Sequence, residues 1–286
     1  MGKTRDKMVQ DLVLRRYAES TSERYVSCAR AFVAYHRRPA EQMGEQEVRQ
    51  YLLHLALDKH VGAATQKMHV AAVKFLYAET LGRPEVVSAI PWPKVKQTLP
   101  AILSGTEMDR LLGAIDSVKH RAIVMTAYGG GLRIGEVCKL KAADIDSKRM
   151  LIHLHNAKGG RDRYVTLPER VLLVLRRYWR VERVNGPELF PGQRPGTCIS
   201  DSAVRAKLHD ATNKAKLAKR VTPHCLRHSF ATHLLELGTD LRVIQMLLGH
   251  RSIRTTVRYT RVTDKHVARI TSPIDVLGTP KAKQLG

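Results

Sequence analysis

Apolar residues along the first third of the chain recur at helical spacing. Tyr25, Ala29, Phe32 and Val33 form an i, i+4, i+7, i+8 stripe behind the capping run Thr21-Ser22-Glu23. Val48, Tyr51, Leu52 and Leu55 repeat the pattern, as do Met68, Ala71, Ala72, Phe75 and Leu76, and Gly82 with Pro84 closes the last helix. A bundle of about four helices satisfies these stripes. Ile90 to Pro100 then places Pro91, Pro93 and Pro100 in a run that cannot be helix interior, so it predicts an extended linker. The boundary falls there, giving domains 1–97 and 98–286.

The second half opens on a capping box, Ser104-Gly105-Thr106-Glu107, ahead of Met108, Leu111, Leu112 and Ile115. An apolar helix from Ala122 to Tyr128 meets Gly129-Gly130-Gly131. Leu151 to His155 alternates and Tyr164 to Leu167 is β-prone, so a strand pair is predicted with Lys158-Gly159-Gly160 in its turn. Helices resume with Val171, Leu172, Leu175 and Trp179 on one face, and again with Val204, Leu208 and Ala211. The chain reads as mainly α with a small β-sheet.

Charge changes the picture. The 286 residues hold 49 Lys+Arg against 26 Asp+Glu, a formal balance of +23. Residues 1–97 carry 16 basic and 10 acidic side chains, residues 98–286 carry 33 and 16, so the excess sits mainly in the second half. A soluble protein tolerates such an excess when its partner is a polyanion, usually nucleic acid. No apolar run is long enough to span a membrane and the N-terminus has no signal core, so membrane and secreted readings are excluded. Cys28, Cys138, Cys198 and Cys225 form no CxxC pair and read as buried thiols of a reducing compartment.

The chemistry-bearing run is Thr222-Pro223-His224-Cys225-Leu226-Arg227-His228-Ser229-Phe230-Ala231-Thr232-His233. Thr222 suits an N-cap and Pro223 the first helical position, which puts His224 in the first turn with Arg227 on the same face. The positive end of the helix dipole favours a neutral imidazole at His224. His224 and His228 have a metal-ligand spacing, but no intervening glutamate or cysteine pair completes a zinc site, and no metal is assigned. Downstream, Leu241 to Leu248 is an apolar helix ended by Gly249, followed by His250. Ser252 caps a further helix carrying Tyr259 among Arg251, Arg254, Arg258 and Arg261. A phenol with a pKa near 10 needs cations and a base before it attacks anything. Upstream, Arg133 follows the glycine turn, and Glu136 lies one turn on, able to hold it. Asp144 and Asp146, a pair that could suggest a metal nuclease, read as a turn and cap.

Taken together, GGLRIGEV around Arg133, AKGG around Lys158, HCLRHSFATHLL around His224 and Arg227, LGH at His250 and RTTVRYT around Tyr259 resemble the tyrosine recombinase (phage integrase) family over residues 104–262. The layout resembles its compact, Xer-like members, without a separate arm-binding domain. The resemblance implies a helical core-binding (SAM-like) domain and a mixed α/β catalytic domain closing around double-stranded DNA. It implies that Arg133 and Arg227 grip the scissile phosphate, Tyr259 attacks it to give a 3′-phosphotyrosine, Lys158 protonates the leaving 5′-oxygen, His224 takes the tyrosine proton, His250 hydrogen-bonds the phosphate and Glu136 supports. It implies no cofactor, a tetramer in synapsis formed with itself or with a related second recombinase, and a cytoplasmic, nucleoid-associated setting. Val267, Ile270, Ile274 and Val276 would lie in a tail packing on its own domain or on a neighbouring protomer. A type IB topoisomerase-like relaxing enzyme and a non-cleaving DNA-binding regulator are the alternative functions.

Overall fold

The structure, a computed structural model, describes residues 2–95, 101–157, 161–182 and 184–249. It divides into two compact units, Met1–Thr98 and Leu99–Gly286. Lys158, His250, Tyr259 and the tail from Val262 onward lie outside the described residues.

The first unit is helical: α1 (Gly2–Leu14), α2 (Glu19–His36), α3 (Glu45–Leu57), α4 (Ala63–Phe75) and the short α5 (Glu85–Ser88). Of the predicted stripes, Ala29 and Phe32 on α2, all four residues on α3, and Ala72 and Phe75 on α4 are buried, while Tyr25, Val33, Met68 and Ala71 are half-buried. Phe32, Val48 and Val73, the last outside the predicted stripe, belong to one core. Helix α1 was not expected, because it contributes little more than Met8 and Leu12 to the core, an i, i+4 pair too sparse to read as a stripe. Helix α4 does not stop at Phe75 but widens into a π-turn, Leu76–Thr80, which buries the consecutive Leu76 and Tyr77. The Tyr77 hydroxyl donates to the Ala40 carbonyl at 3.0 Å, and burial raises its pKa.

The second unit contains α6 (Gly105–Gly113), α7 (Val118–Gly129), α8 (Ile134–Cys138), β1 (Ile145–Asp146), β2 (Leu151–Ala157), β3 (Arg161–Thr166), α9 (Glu169–Glu182), α10 (Asp201–Lys214), α11 (Pro223–Glu236) and α12 (Leu241–Leu248). Ser104 caps α6 reciprocally: it accepts from Glu107 N at 3.2 Å while its own N–H donates to Glu107 Oε2 at 2.8 Å. Helix α7 is apolar around much of its circumference because it is central, packed against α9 and α11. The strands form an antiparallel sheet in the order β1-β2-β3, one short strand more than the alternation predicts. Ile152 pairs with Val165 and Leu154 with Arg163, and a register shift follows before Ala157 pairs with Arg161. Ile152, Leu154 and Val165 face the core, whereas His153 and its partner Tyr164 point outward. Asp144 and Asp146 are a cap and a turn: Asp144 accepts from Lys141 N at 2.8 Å, and Asp146 from Lys148 N at 3.0 Å and Arg149 N at 2.8 Å. The four cysteines are unpaired, and burial pushes the Cys138 thiol up to about 12.

The entry to α6 is tied to α11 by one buried hydrogen bond, from Leu103 N to Ser229 Oγ at 2.9 Å, with both residues fully buried. Ser229→Ala strands that N–H without a partner and should cost about 1–3 kcal/mol. A lower urea midpoint with an unchanged slope is the expected result.

Candidate active site

Arg133 occupies the N-cap of α8 directly after a glycine turn. Gly131 makes that turn possible twice over. Its φ is +62°, and a Cβ there would stand 2.3 Å from Phe230 Cδ1. The α7 chain can therefore reverse tightly against α11, which brings Arg133 beside the start of that helix. Thr222 caps α11, its hydroxyl accepting from Cys225 N at 3.3 Å, and Pro223 occupies the first turn as expected.

Arg227 is almost wholly buried, with 5% of its side chain exposed. Its Nη1 donates to the Gly131 carbonyl at 2.7 Å and its Nη2 to the Leu248 carbonyl at the end of α12. The guanidinium thus joins the glycine turn to the helix that leads to His250. Glu136 receives the Arg133 N–H at Oε2 and Arg133 Nη1 at Oε1, both at 2.8 Å. Arg227 Nη1 stands 3.9 Å from the same carboxylate.

The remaining partner of Glu136 is Arg163 on β3. Its Nη1 and Nη2 reach the two carboxylate oxygens at 3.0 and 2.8 Å, a forked pair, and its Nε donates to the Leu247 carbonyl at 3.2 Å. Gly249, with φ +59°, leaves room for it: a Cβ there would be 3.2 Å from the Arg163 guanidinium. Sequence reasoning missed Arg163, since an arginine inside a β-prone run carries no local mark of its partner. Burial works against ionisation of Glu136, but the hydrogen bonds from Arg163 and Arg133 prevail and hold it below the ordinary carboxylate value of 4.5.

These groups line a cleft of about 840 Å³ whose walls include Arg133, Glu136, Lys139, Lys141, Arg205, His224 and Arg227. His224 stands exposed on its rim. Partial loss of water, followed by the charges of Arg205, Arg227 and Arg133, lowers its pKa from 6.5, so the imidazole is neutral at pH 7. The His224 and His228 rings are 6.3 Å apart between centroids. Among the described residues no third ligand joins them. The cleft therefore gathers three guanidiniums, those of Arg133, Arg205 and Arg227, and a neutral imidazole, a set suited to an anion that must exchange a proton.

The profile of the Phage integrase family matches residues 101–266, and that of the Phage integrase N-terminal SAM-like domain matches residues 5–85. The chain belongs to the phage integrase family. It is 40% identical over 281 residues to a putative integrase/recombinase, y4qK, of Sinorhizobium fredii, covering 98% of this chain and 91% of that one. It is 40% identical over 195 residues to the tyrosine recombinase XerA of Pyrococcus furiosus, covering 67% and 68%. A crystal structure of XerA recombinase superposes with a TM-score of 0.55 at 28% identity, over 93% of this chain and 96% of that one. The protein is a tyrosine-type site-specific recombinase, an enzyme that breaks and rejoins DNA strands, and the relaxing-enzyme and regulator readings are not favoured. Among the described residues no helix is long and apolar enough to cross a membrane.

Because Glu136 balances three arginines from distant segments, its loss leaves buried positive charge uncompensated. Glu136→Gln should destabilise the protein by about 3–5 kcal/mol at pH 7. The folded carboxylate binds its proton less readily than the unfolded one, so its contribution is complete above pH 4.5 and fades as the pH falls toward the lower folded value. Urea melts from pH 7 to pH 3 should show this acid slope in the wild type and a shallower one in the variant.

Proposed function

We propose that Arg133 and Arg227 bind the two non-bridging oxygens of one phosphodiester of double-stranded DNA, and that Tyr259 attacks its phosphorus. The single observation that carries this reading is that both guanidiniums share one carboxylate, Glu136, on the wall of a basic cleft that also holds His224. Guanidiniums held in advance cost no reorganisation when charge builds on the phosphoryl oxygens. The Tyr259 oxygen forms the new bond to phosphorus, and the bond to the 5′-oxygen breaks. The phenolic proton passes to neutral His224, and Lys158 supplies a proton to the departing 5′-oxygen, which leaves as the 5′-hydroxyl. His250 hydrogen-bonds the phosphate, and Glu136 orients the arginines. One phosphoester replaces another of similar energy, so rejoining by the reverse path needs no cofactor.

The helical residues 1–97 and the catalytic residues 98–286 both bind the duplex. Exchange takes four protomers on two duplexes, this chain with itself or with a related second recombinase, acting on the nucleoid in the cytoplasm. Binding is salt-sensitive, with a slope of about −0.9 per phosphate neutralised.

Covalent capture tests the nucleophile. Wild-type protein mixed with nicked duplexes of randomised sequence should give SDS-resistant protein–DNA adducts, and Tyr259→Phe should give none while binding DNA equally. Adducts of undiminished yield from Tyr259→Phe would overturn the assignment.

The pH dependence of cleavage tests the base. With the His224 pKa lowered from 6.5, the neutral form persists through pH 6.5 and is lost only further down. Single-turnover cleavage should keep more than half of its pH 7.5 rate at pH 6.5 and decline further below, and His224→Asn should remove that limb.

A further inference from the structure

We propose that the outer face of the β2–β3 hairpin is a binding site for one first-row divalent cation, with His153, His155 and Asp162 as its ligands. Strand periodicity puts His153 and His155 on one face of β2. Asp162 precedes Arg163, the inward-facing partner of Leu154, and so stands on that same outer face of β3. His153 Nε2 lies 3.3 Å and His155 Nδ1 3.4 Å from one oxygen, Asp162 Oδ2, and the three ligand atoms all fall within 4.8 Å of one another. Ligands about 2.1 Å from a tetrahedral ion stand about 3.4 Å apart, which the two nitrogen–oxygen separations match.

The second observation is the far side of the His155 ring. Its Nε2 lies 3.0 Å from Asp144 Oδ1, in a carboxylate with only 8% of its side chain exposed whose other oxygen is occupied by Lys141 N–H. An ionised carboxylate only accepts, so the proton of a neutral His155 sits on Nε2. In that tautomer Nδ1 presents its lone pair on the side of Asp162 Oδ2, 3.4 Å away, the direction in which a shared cation is held. A carboxylate orienting the distal nitrogen of a ligating histidine is also the outer support that imidazole–metal sites use. The His153 ring is steadied in turn by stacking on Tyr164, with centroids 4.5 Å apart and planes 12° apart.

Two imidazoles and one carboxylate, with room for water, suit Zn²⁺, Co²⁺ or Ni²⁺ better than Mg²⁺ or Ca²⁺. His153, His155 and Asp144 line the same cleft as Arg133, His224 and Arg227, and the strand transfer proposed above uses none of the three. The ion would join β2 to β3, the strands that flank Lys158 in the sequence.

Untagged full-length protein, treated with EDTA and dialysed, is titrated with Co²⁺ by visible absorption and with Zn²⁺ by calorimetry. One ion per chain and a metal-dependent rise in melting temperature are expected. Asp162→Asn alone and His155→Asn with Asp162→Asn, all at solvent-exposed positions, should abolish the cobalt band and the rise while keeping the metal-free melting temperature. Asp144→Asn should weaken binding by about 10- to 100-fold. His54→Asn, in the other unit, should leave it unchanged. Absence of binding at 100-fold excess metal, or binding that survives the double substitution, overturns the proposal and leaves the cluster as a set of histidine–aspartate ion pairs.

Discussion

The carboxylate of Glu136 is the point on which the catalytic unit converges. It accepts from the backbone and guanidinium of Arg133 and from both ends of the Arg163 fork, and it stands within ion-pair distance of Arg227. Three guanidiniums brought so close would repel one another strongly in a partly dehydrated site. One half-buried anion offsets that repulsion, and it also sets geometry, because each arginine approaches it from a different element: the start of α8, the interior of β3 and the first turns of α11. The arrangement fixes three positive charges in place within the fold itself.

The fold serves that convergence through a few close approaches of backbone. Helix α7 runs through the core and must turn sharply to deliver Arg133, which the left-handed Gly131 allows against the ring of Phe230. Arg227 then uses the carbonyl of that glycine and the carbonyl at the end of α12 as fixed acceptors. Arg163 does the same with Leu247, lying flat over Gly249. Two arginines therefore anchor the end of α12, the helix that leads to His250 and Tyr259.

The hairpin carries opposite chemistry on its two faces. Arg163 points inward to Glu136, while its neighbour Asp162 points outward toward His153 and His155. A slip of one residue in the pairing of β2 and β3 would exchange these faces and dismantle both arrangements. The buried trio Ile152, Leu154 and Val165 opposes such a slip by burying apolar surface in only one register.

Much of this architecture follows from short-range pattern. Helices α2, α3, α4, α6, α7 and α9 to α12 were legible because helical and strand periods are set by local backbone geometry, and their ends because Ser104, Thr222, Gly238 and Gly249 act on neighbours a few residues away. The contact of Glu136 with Arg133 was legible for the same reason, being a single turn apart. Helix α1 and strand β1 were not, since one is held by two side chains and the other by pairing with β2. Arg163 on Glu136, Arg227 on the carbonyls of Gly131 and Leu248, and the meeting of Asp162 and Asp144 around His155 were decided only by the tertiary structure. Each depends on which elements pack together and in what register, and that is settled by burial of the whole core, which no local spacing of residues encodes.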